Sequence, residues 1–365
     1  MNKEIEFKTF EVKKNEWSSS RFVSETFNGN LEQDQVLLKI DRFALTTNNI
    51  TYCAAGDMFG YWGFFPTEEV FGRVPVMGYA DVVASNHSDV QVGERLWGFY
   101  PMSNYLVIKA GRVSNSNFFD VSEHRQQYAP IYSQYLRALV NPYYEPARED
   151  HDLLLRGLYL TSWLVEDFMF DNETFGADSY LITSASSKTS IALGFAVKSR
   201  GEKKAIGITS ESNREFCKKL GCYSEIITYD EVSSLDASGS VVIVDMAGNL
   251  EVLRALHELF QEQVKYSCLI GTTHRDEIKG LLSLSSLPGA KPELFFAPSQ
   301  AQKRTEELGA GQLEKLIGQS LVDFQKYSDQ WLTVVRASGP ESIEAAFSKL
   351  LNGQASPSEG YILSA

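Results

Sequence analysis

The chain has 365 residues, of which 43% are hydrophobic, 12% aromatic and 22% charged, and its formal net charge is −13. That length exceeds what one hydrophobic core usually supports, so two domains are expected, and the composition excludes a disordered chain. The acidic balance argues against nucleic acid as a partner, because that affinity comes largely from Lys and Arg displacing counterions; a small-molecule substrate fits better.

In chain order, the opening MNKEIEFKTF carries no apolar core of signal-peptide length, and no later stretch holds the roughly 18 uninterrupted apolar residues of a membrane span. A cytoplasmic protein with no membrane partner is expected. To about residue 110 the pattern is that of strands: Val36, Leu38 and Ile40 alternate with Leu37, Lys39 and Asp41, and VPVMGYADVVAS and ERLWGFY are short β-rich runs between turn residues. An irregular β-barrel is predicted. Residues 111–150 are polar and then Tyr-rich, with no clean period, and read as an insertion or lid within a first domain of residues 1–150.

HDLLLRGLYLTSWLVEDFMF, residues 151–170, is apolar enough for a largely buried helix. After it, apolar runs (SYLITSA, KAIGITS, SEIITY, SVVIVDMAG, KYSCLIGTT, PELFFAP) recur, several of them separated by helix-like stretches such as SIALGFAVKSR and LEVLRALHELF. Strands alternating with helices predict an α/β domain over residues 151–330, a parallel sheet covered on both faces. WLTVVRA, ESIEAAFSKLL and GYILS then form a short strand-helix-strand tail, residues 331–365, that returns to the first domain. The four cysteines, Cys53, Cys217, Cys222 and Cys268, show no ligand spacing and read as ordinary reduced thiols.

Five segments carry a resemblance. They are FALTTNNITYCAAGD, VPVMGYADVV with VGERLWGFYPMSNYLVI, ITSESNREFCKKLGCYSEIITYDE, VVIVDMAGN and SIEAAFSKLLNGQASPSEGYIL. In this order they resemble the signposts of the medium-chain dehydrogenase/reductase superfamily, and the overall likeness is nearest to an uncharacterised bacterial branch, the family of unknown function numbered 2855. The resemblance implies a GroES-like β-barrel domain, a Rossmann-type doubly wound parallel sheet, NADP(H) as cofactor and, by analogy, a homodimer with the apolar strand near SCLIG as a shared edge.

Zinc-dependent members of the superfamily need Cys and His ligands in the barrel domain, where the metal polarises a substrate oxygen. Here no ligand-type cysteine stands beside Asn48, and the position of a family Gly-His-Glu reads Gly78-Tyr79-Ala80. The resemblance therefore implies the zinc-free branch, with no metal site.

The family's Gly-rich phosphate turn reads Ser184-Ala185-Ser186-Ser187-Lys188-Thr189-Ser190, without a glycine. Small serines leave room and donate O–H groups, and Lys188 supplies a charge; alternatively, the serines only cap the following helix. At the end of the second strand, Thr209, Ser210, Asn213 and Arg214 favour NADP over NAD, with Glu211 as a counter-indication. The resemblance also brings Tyr229, Gly271 and Thr272 to the cofactor. Asp245 reads as a residue that fixes local turns.

Without a metal, charge developing on a carbonyl or enolate oxygen needs a hydrogen-bond donor or a proton source. Tyr61 falls near the catalytic tyrosine of related enoyl reductases and Tyr52 is its rival, while GYWGFF can equally be a packing run. Asn48 and Asn49 fall where the zinc-free branch keeps an Asn beside the nicotinamide. His274 reads either as a proton shuttle or as a surface-loop histidine. Two functions stand: an NADPH-dependent reductase of a quinone, enone or enoyl type of substrate, and a catalytically silent nucleotide- or ligand-binding module on the same fold.

Overall fold

The computed structural model describes residues 4–270, 284 and 286–365. The chain divides into two compact units, residues 1–154 with 332–365, and residues 155–331. Among the described residues, no helix is long and apolar enough to cross a membrane.

The first unit opens with strands β1 (Ile5–Lys13) and β2 (Glu16–Phe27), which pair antiparallel. The next strand, β3 (Gln35–Leu45), leads into helix α1 (Thr47–Ala54) and the two-residue strand β4 (Phe71–Gly72), which adds to the free edge of β1. Strands β5 (Pro75–Ser85), β6 (Arg95–Pro101), β7 (Tyr105–Gly111), β8 (Asn117–Asp120) and β9 (Gln134–Arg137) follow. Hydrogen bonding runs β3-β5-β6-β9-β8-β7 and returns to β3 through register pairs such as Leu37 with Val107, which closes a six-stranded barrel. Alternation places Val36, Leu38, Ile40, Val82, Leu96, Ile108, Phe118 and Tyr135 in its core.

The 111–150 stretch, expected to be an insertion or lid, supplies β8 and β9 and so forms part of the barrel wall. Each strand has only four residues, too few for a period to stand out. What hides them further is the irregular stretch between, two single 3₁₀ turns at Glu123–Arg125 and Pro130–Ser133.

Helix α2 (Glu149–Asp171) starts with Glu149, Asp150 and Asp152, carboxylates placed favourably at a helix N-terminus. They also tie this turn to the barrel. Arg95 bridges Glu149 and Asp41, Arg42 and Arg336 both meet Asp150, and Tyr79 donates to Asp152 at 2.9 Å.

The second unit is a six-stranded parallel sheet. In chain order its strands are β10 (Ser179–Ile182), β11 (Lys204–Thr209), β12 (Glu225–Thr228), β13 (Val241–Asp245), β14 (Val264–Leu269) and β15 (Pro292–Leu294), and their spatial order is β12-β11-β10-β13-β14-β15. Written by position in the unit, this is 3-2-1-4-5-6, the doubly wound dinucleotide-fold order. All five residues of β13 are buried because both faces are covered. Val242 and Val244 pack with Leu193 and Val197 of helix α3 (Lys188–Arg200), while Val241 and Ile243 pack with Leu253 and Leu256 of helix α5 (Leu250–Phe260). Between them in sequence lies the short helix α4 (Arg214–Leu220). The SCLIG strand, expected to offer an edge for dimerisation, is β14, which is hydrogen-bonded on both sides; the edge belongs to β15.

After this sheet the chain rejoins the first unit. Strand β16 (Thr333–Ser338) pairs parallel with β17 (Glu359–Ser364), and β17 pairs antiparallel with β3.

His257 on α5 is fully buried between Pro288 and Ser267. Because a carbonyl can only accept, Nδ1 donates to Pro288 O (2.9 Å) and Nε2 accepts from Ser267 Oγ (2.9 Å), which fixes the neutral ring. Burial holds its pKa below the ordinary value of 6.5. The stability it contributes is complete above about pH 6.5, the unfolded value, and is lost as pH falls through the folded pKa. Urea midpoints are expected to drop between pH 7 and pH 5, and to drop less in His257→Gln; equal slopes for the two proteins would refute this role.

Candidate active site

The sequence-predicted residues fall into two groups, one in each unit. In the second unit β10 ends in the turn that lacks glycine. Ser184 adopts φ 51°, the left-handed conformation for which glycine is the usual choice, at a cost of roughly 1–2 kcal/mol for a residue with a Cβ. Neighbours brace this conformation. Ser187 N donates to Ser184 O at 2.7 Å, Tyr223 donates to Ala185 O at 2.9 Å, and Tyr229 hydrogen-bonds Ser184, with burial raising the pKa of its phenol. Asn213 Nδ2 reaches Ser186 Oγ at 3.0 Å and so joins the turns after β10 and β11.

The serines of this turn differ in use. Ser187 is the N-cap of α3: its Oγ accepts from Ser190 N at 3.2 Å and contacts Ser190 Oγ at 2.8 Å. Ser190 is fully buried and donates to Thr183 O at 2.9 Å. The helix cap thus consumes the hydroxyls of Ser187 and Ser190, both expected at the cofactor. Ser186 and Thr189 are partly exposed, and Lys188 is the first residue of α3.

A similar sorting occurs after β11. Thr209 is 1% exposed and faces the interior, which corrects its expected place at the ribose. Ser210 lies at the surface with its hydroxyl 2.9 Å from that of Ser212. Arg214 is held between Glu211 (2.8 Å) and Glu231 (2.6 Å), and Glu231, hydrogen-bonded by this guanidinium, is lowered to about 2. The partnership with Glu231, which lies beyond β12, was not legible in the local sequence.

Asp245 ends β13, accepts from Thr183 Oγ1 at 2.5 Å, and takes the amides of Ala247 (3.2 Å) and Gly248 (3.1 Å). It locks the two central strand ends together. Gly271, Thr272 and His274 lie outside the described residues.

In the first unit Tyr61 begins a 3₁₀ turn, Tyr61–Gly63, and is 9% exposed. Its ring lies 4.6 Å from that of Tyr52 and edge-on to Phe64 at 5.4 Å; its hydroxyl is 3.3 Å from that of Tyr132. Asn48 Nδ2 donates to Tyr52 OH at 2.9 Å. Burial pushes the pKa values of Tyr52 and Tyr61 well above the ordinary phenol value, so both are neutral donors at physiological pH.

Asn49, expected near a nicotinamide, is 4% exposed and fully engaged: Oδ1 accepts from Thr46 N (2.7 Å) and Nδ2 donates to Pro75 O (2.9 Å). It forms a capping box that anchors α1.

Tyr132, which contacts Tyr61, was not among the sequence-predicted residues. Arg125, 1% exposed, donates to Phe64 O at 2.9 Å and also to Tyr132 O, so one guanidinium joins the segments that carry Tyr61 and Tyr132. The Tyr128 ring fills the hollow of Gly60, which has φ 74°, and Gly63; a Cβ built on either glycine would lie 2.4 Å or less from that side chain's atoms. A signal was present in the cluster Tyr128, Tyr132 and Tyr135, but no local rule ties it to residues 60–64. Among the described residues, no three His, Cys, Asp or Glu side chains converge to hold a metal ion. Cys53 is buried with Sγ 3.5 Å from Asn49 O, and burial raises its pKa.

A closed six-stranded barrel combined in one chain with a 3-2-1-4-5-6 parallel sheet defines the medium-chain dehydrogenase/reductase fold. The chain belongs to the family described as "Protein of unknown function (DUF2855)", which matches residues 43–356. A search of the curated proteins finds no match.

Solved structures share the fold at low identity. CurA from Vibrio vulnificus is 14% identical with a TM-score of 0.64, covering 98% of each chain. A point mutant of Etr1p, solved with NADP and crotonyl-CoA, is 10% identical with a TM-score of 0.60, covering 100% of each. The quinone oxidoreductase from Coxiella burnetii is 15% identical with a TM-score of 0.56, covering 99% of this chain and 100% of that one.

Proposed function

We propose that the chain is an NADP(H)-dependent oxidoreductase that reduces an activated C=C or C=O of a small apolar substrate, of quinone, enone or enoyl type, without zinc. The observation that carries this reading is the turn after β10. It lies at the topological switch point between β10 and β13, where doubly wound sheets bind ligands, with its backbone held left-handed at Ser184 and a lysine heading the next helix. A lysine at the head of α3 adds a positive charge to the helix's N-terminal amides, a combination that suits a bound anion.

These residues fit a dinucleotide. Ser186, Lys188, Thr189 and the first amides of α3 would hold the pyrophosphate, and Ser210 and Asn213 the ribose; Arg214, held by Glu211 and Glu231, would meet a 2′-phosphate by giving up one of these carboxylates; and Tyr229 supports Ser184. NADPH, when bound, supplies the hydride. In the barrel unit Tyr61 donates a proton or a hydrogen bond to the substrate oxygen, while Asn48 and Tyr52 hold its ring in place. The zinc-free reading rests on the residue set, in which Cys53 is a buried thiol and Tyr79 is bonded to Asp152. Support also comes from the similar structures: CurA has been solved with NADPH, the Etr1p mutant holds NADP, and the Coxiella burnetii protein is named for a quinone acceptor.

The alternative, a silent binding module, draws on one observation, the loss of Ser187 and Ser190 to helix capping. Calorimetric titration separates the oxidoreductase from a module that no longer binds the nucleotide. Micromolar binding of NADPH, with NADH weaker by about tenfold (about 1.4 kcal/mol), is expected for the oxidoreductase. No heat with either cofactor would leave the silent module as the surviving reading.

A further inference from the structure

We infer that Tyr132 is the second hydroxyl of the proton-donating centre, passing protons from the surface to Tyr61, an inference that rests on the reductase reading above. The two hydroxyls lie 3.3 Å apart although 71 residues separate them, and either can donate to the other. Exposure is graded along the pair, with Tyr61 buried and Tyr132 partly exposed.

The segment carrying Tyr132 is built onto the Tyr61 turn at three points. Arg125 binds the carbonyls of Phe64 and Tyr132, Tyr128 sits in the Gly60 and Gly63 hollow, and the Tyr132 ring stands at 88° to that of Tyr61 with centroids 5.8 Å apart. Packing alone requires none of these contacts to align two hydroxyls. Tyr52 is the other near tyrosine, but it is buried, and its hydroxyl accepts from Asn48 Nδ2.

The chemistry supplies the reason for a pair. Once a hydride has been delivered to the acceptor, the displaced electron pair rests on an enolate or alkoxide, which takes the Tyr61 O–H proton. That leaves a phenolate in an apolar surround, where burial strongly disfavours it. Tyr132 quenches it by giving up its own proton, and Tyr132, partly exposed, recovers one from water. Each step moves one proton and no electrons, so one solvent proton is consumed per hydride.

The test uses the full chain with Tyr132→Phe, which keeps the ring, and Tyr61→Phe as reference. First, without cofactor, the protein is labelled with 3-fluorotyrosine and the Tyr61 resonance is assigned by its loss in Tyr61→Phe. It is expected to shift in Tyr132→Phe, and an unmoved resonance overturns the pairing. Second, NADPH oxidation is followed with 1,4-benzoquinone, crotonyl-CoA and 2-cyclohexen-1-one in H₂O and D₂O. Tyr132→Phe is expected to lower kcat on the order of 100-fold with KM nearly unchanged and a larger solvent isotope effect. A shifted resonance with unchanged kcat and isotope effect overturns the relay while leaving the reductase reading intact. No turnover of any of the three by the unmodified protein overturns the reductase reading, and the relay with it.

Discussion

Replacing Arg125 by methionine is expected to cost the barrel unit about 3–5 kcal/mol, the usual penalty for breaking a buried charged network by removing one partner. The Arg125 side chain is inaccessible to solvent, lies 3.7 Å from the Asp120 carboxylate, and stands 4.8 Å and 5.1 Å from the ring centres of Phe64 and Phe65. Methionine keeps much of the volume. It leaves the carbonyls of Phe64 and Tyr132 without their donor, and it removes the cation facing two rings and a buried carboxylate. Lysine should recover only part of the loss, because a point donor cannot serve both carbonyls as the planar fork does. Urea unfolding followed by tryptophan fluorescence measures the effect, and a loss below about 1 kcal/mol would show that these contacts are incidental.

Lys188→Glu should act strongly on binding and little on stability. At the first position of α3 a glutamate suits the helix dipole by about 0.3–1 kcal/mol, which offsets the loss of the contact Lys188 makes in the protein, so the unfolding midpoint should change little. The same change places a negative charge against the cofactor's phosphates and should weaken NADPH binding more than tenfold. Titration of folded Lys188→Glu protein reads this directly. Unchanged affinity would remove Lys188 from the phosphate site, and weakened affinity together with lost stability would point to a disrupted turn instead.

Residues 184–190 show how far local reading reaches. That Ser187 or a neighbour would cap a helix follows from serine chemistry within four residues, and the structure places the cap there. That Ser190 would turn back onto Thr183 O, or that Thr209 would face inward, depends on how the strand end is rotated against its neighbours, which no local pattern specifies. Asn48 and Asn49 pose the same problem. The sequence offers two adjacent amides, and only the position of Pro75 on a different strand decides that Asn49 is consumed in the cap while Asn48 meets Tyr52.

By itself, the sequence determined the kind and order of the elements: a strand-rich first part, an alternating α/β second part and a strand-helix-strand tail. These follow from periods of 2 and 3.6 residues, which are properties of a few neighbouring positions. It also determined the absence of glycine from the phosphate turn and the overall acidity. The tertiary structure decided that 117–120 and 134–137 are barrel walls, that Arg214 is shared by Glu211 and Glu231, and that Tyr61 meets Tyr132. Those outcomes depend on contacts between residues far apart in the chain, whose partners are chosen by packing and by the satisfaction of buried polar groups, not by local pattern.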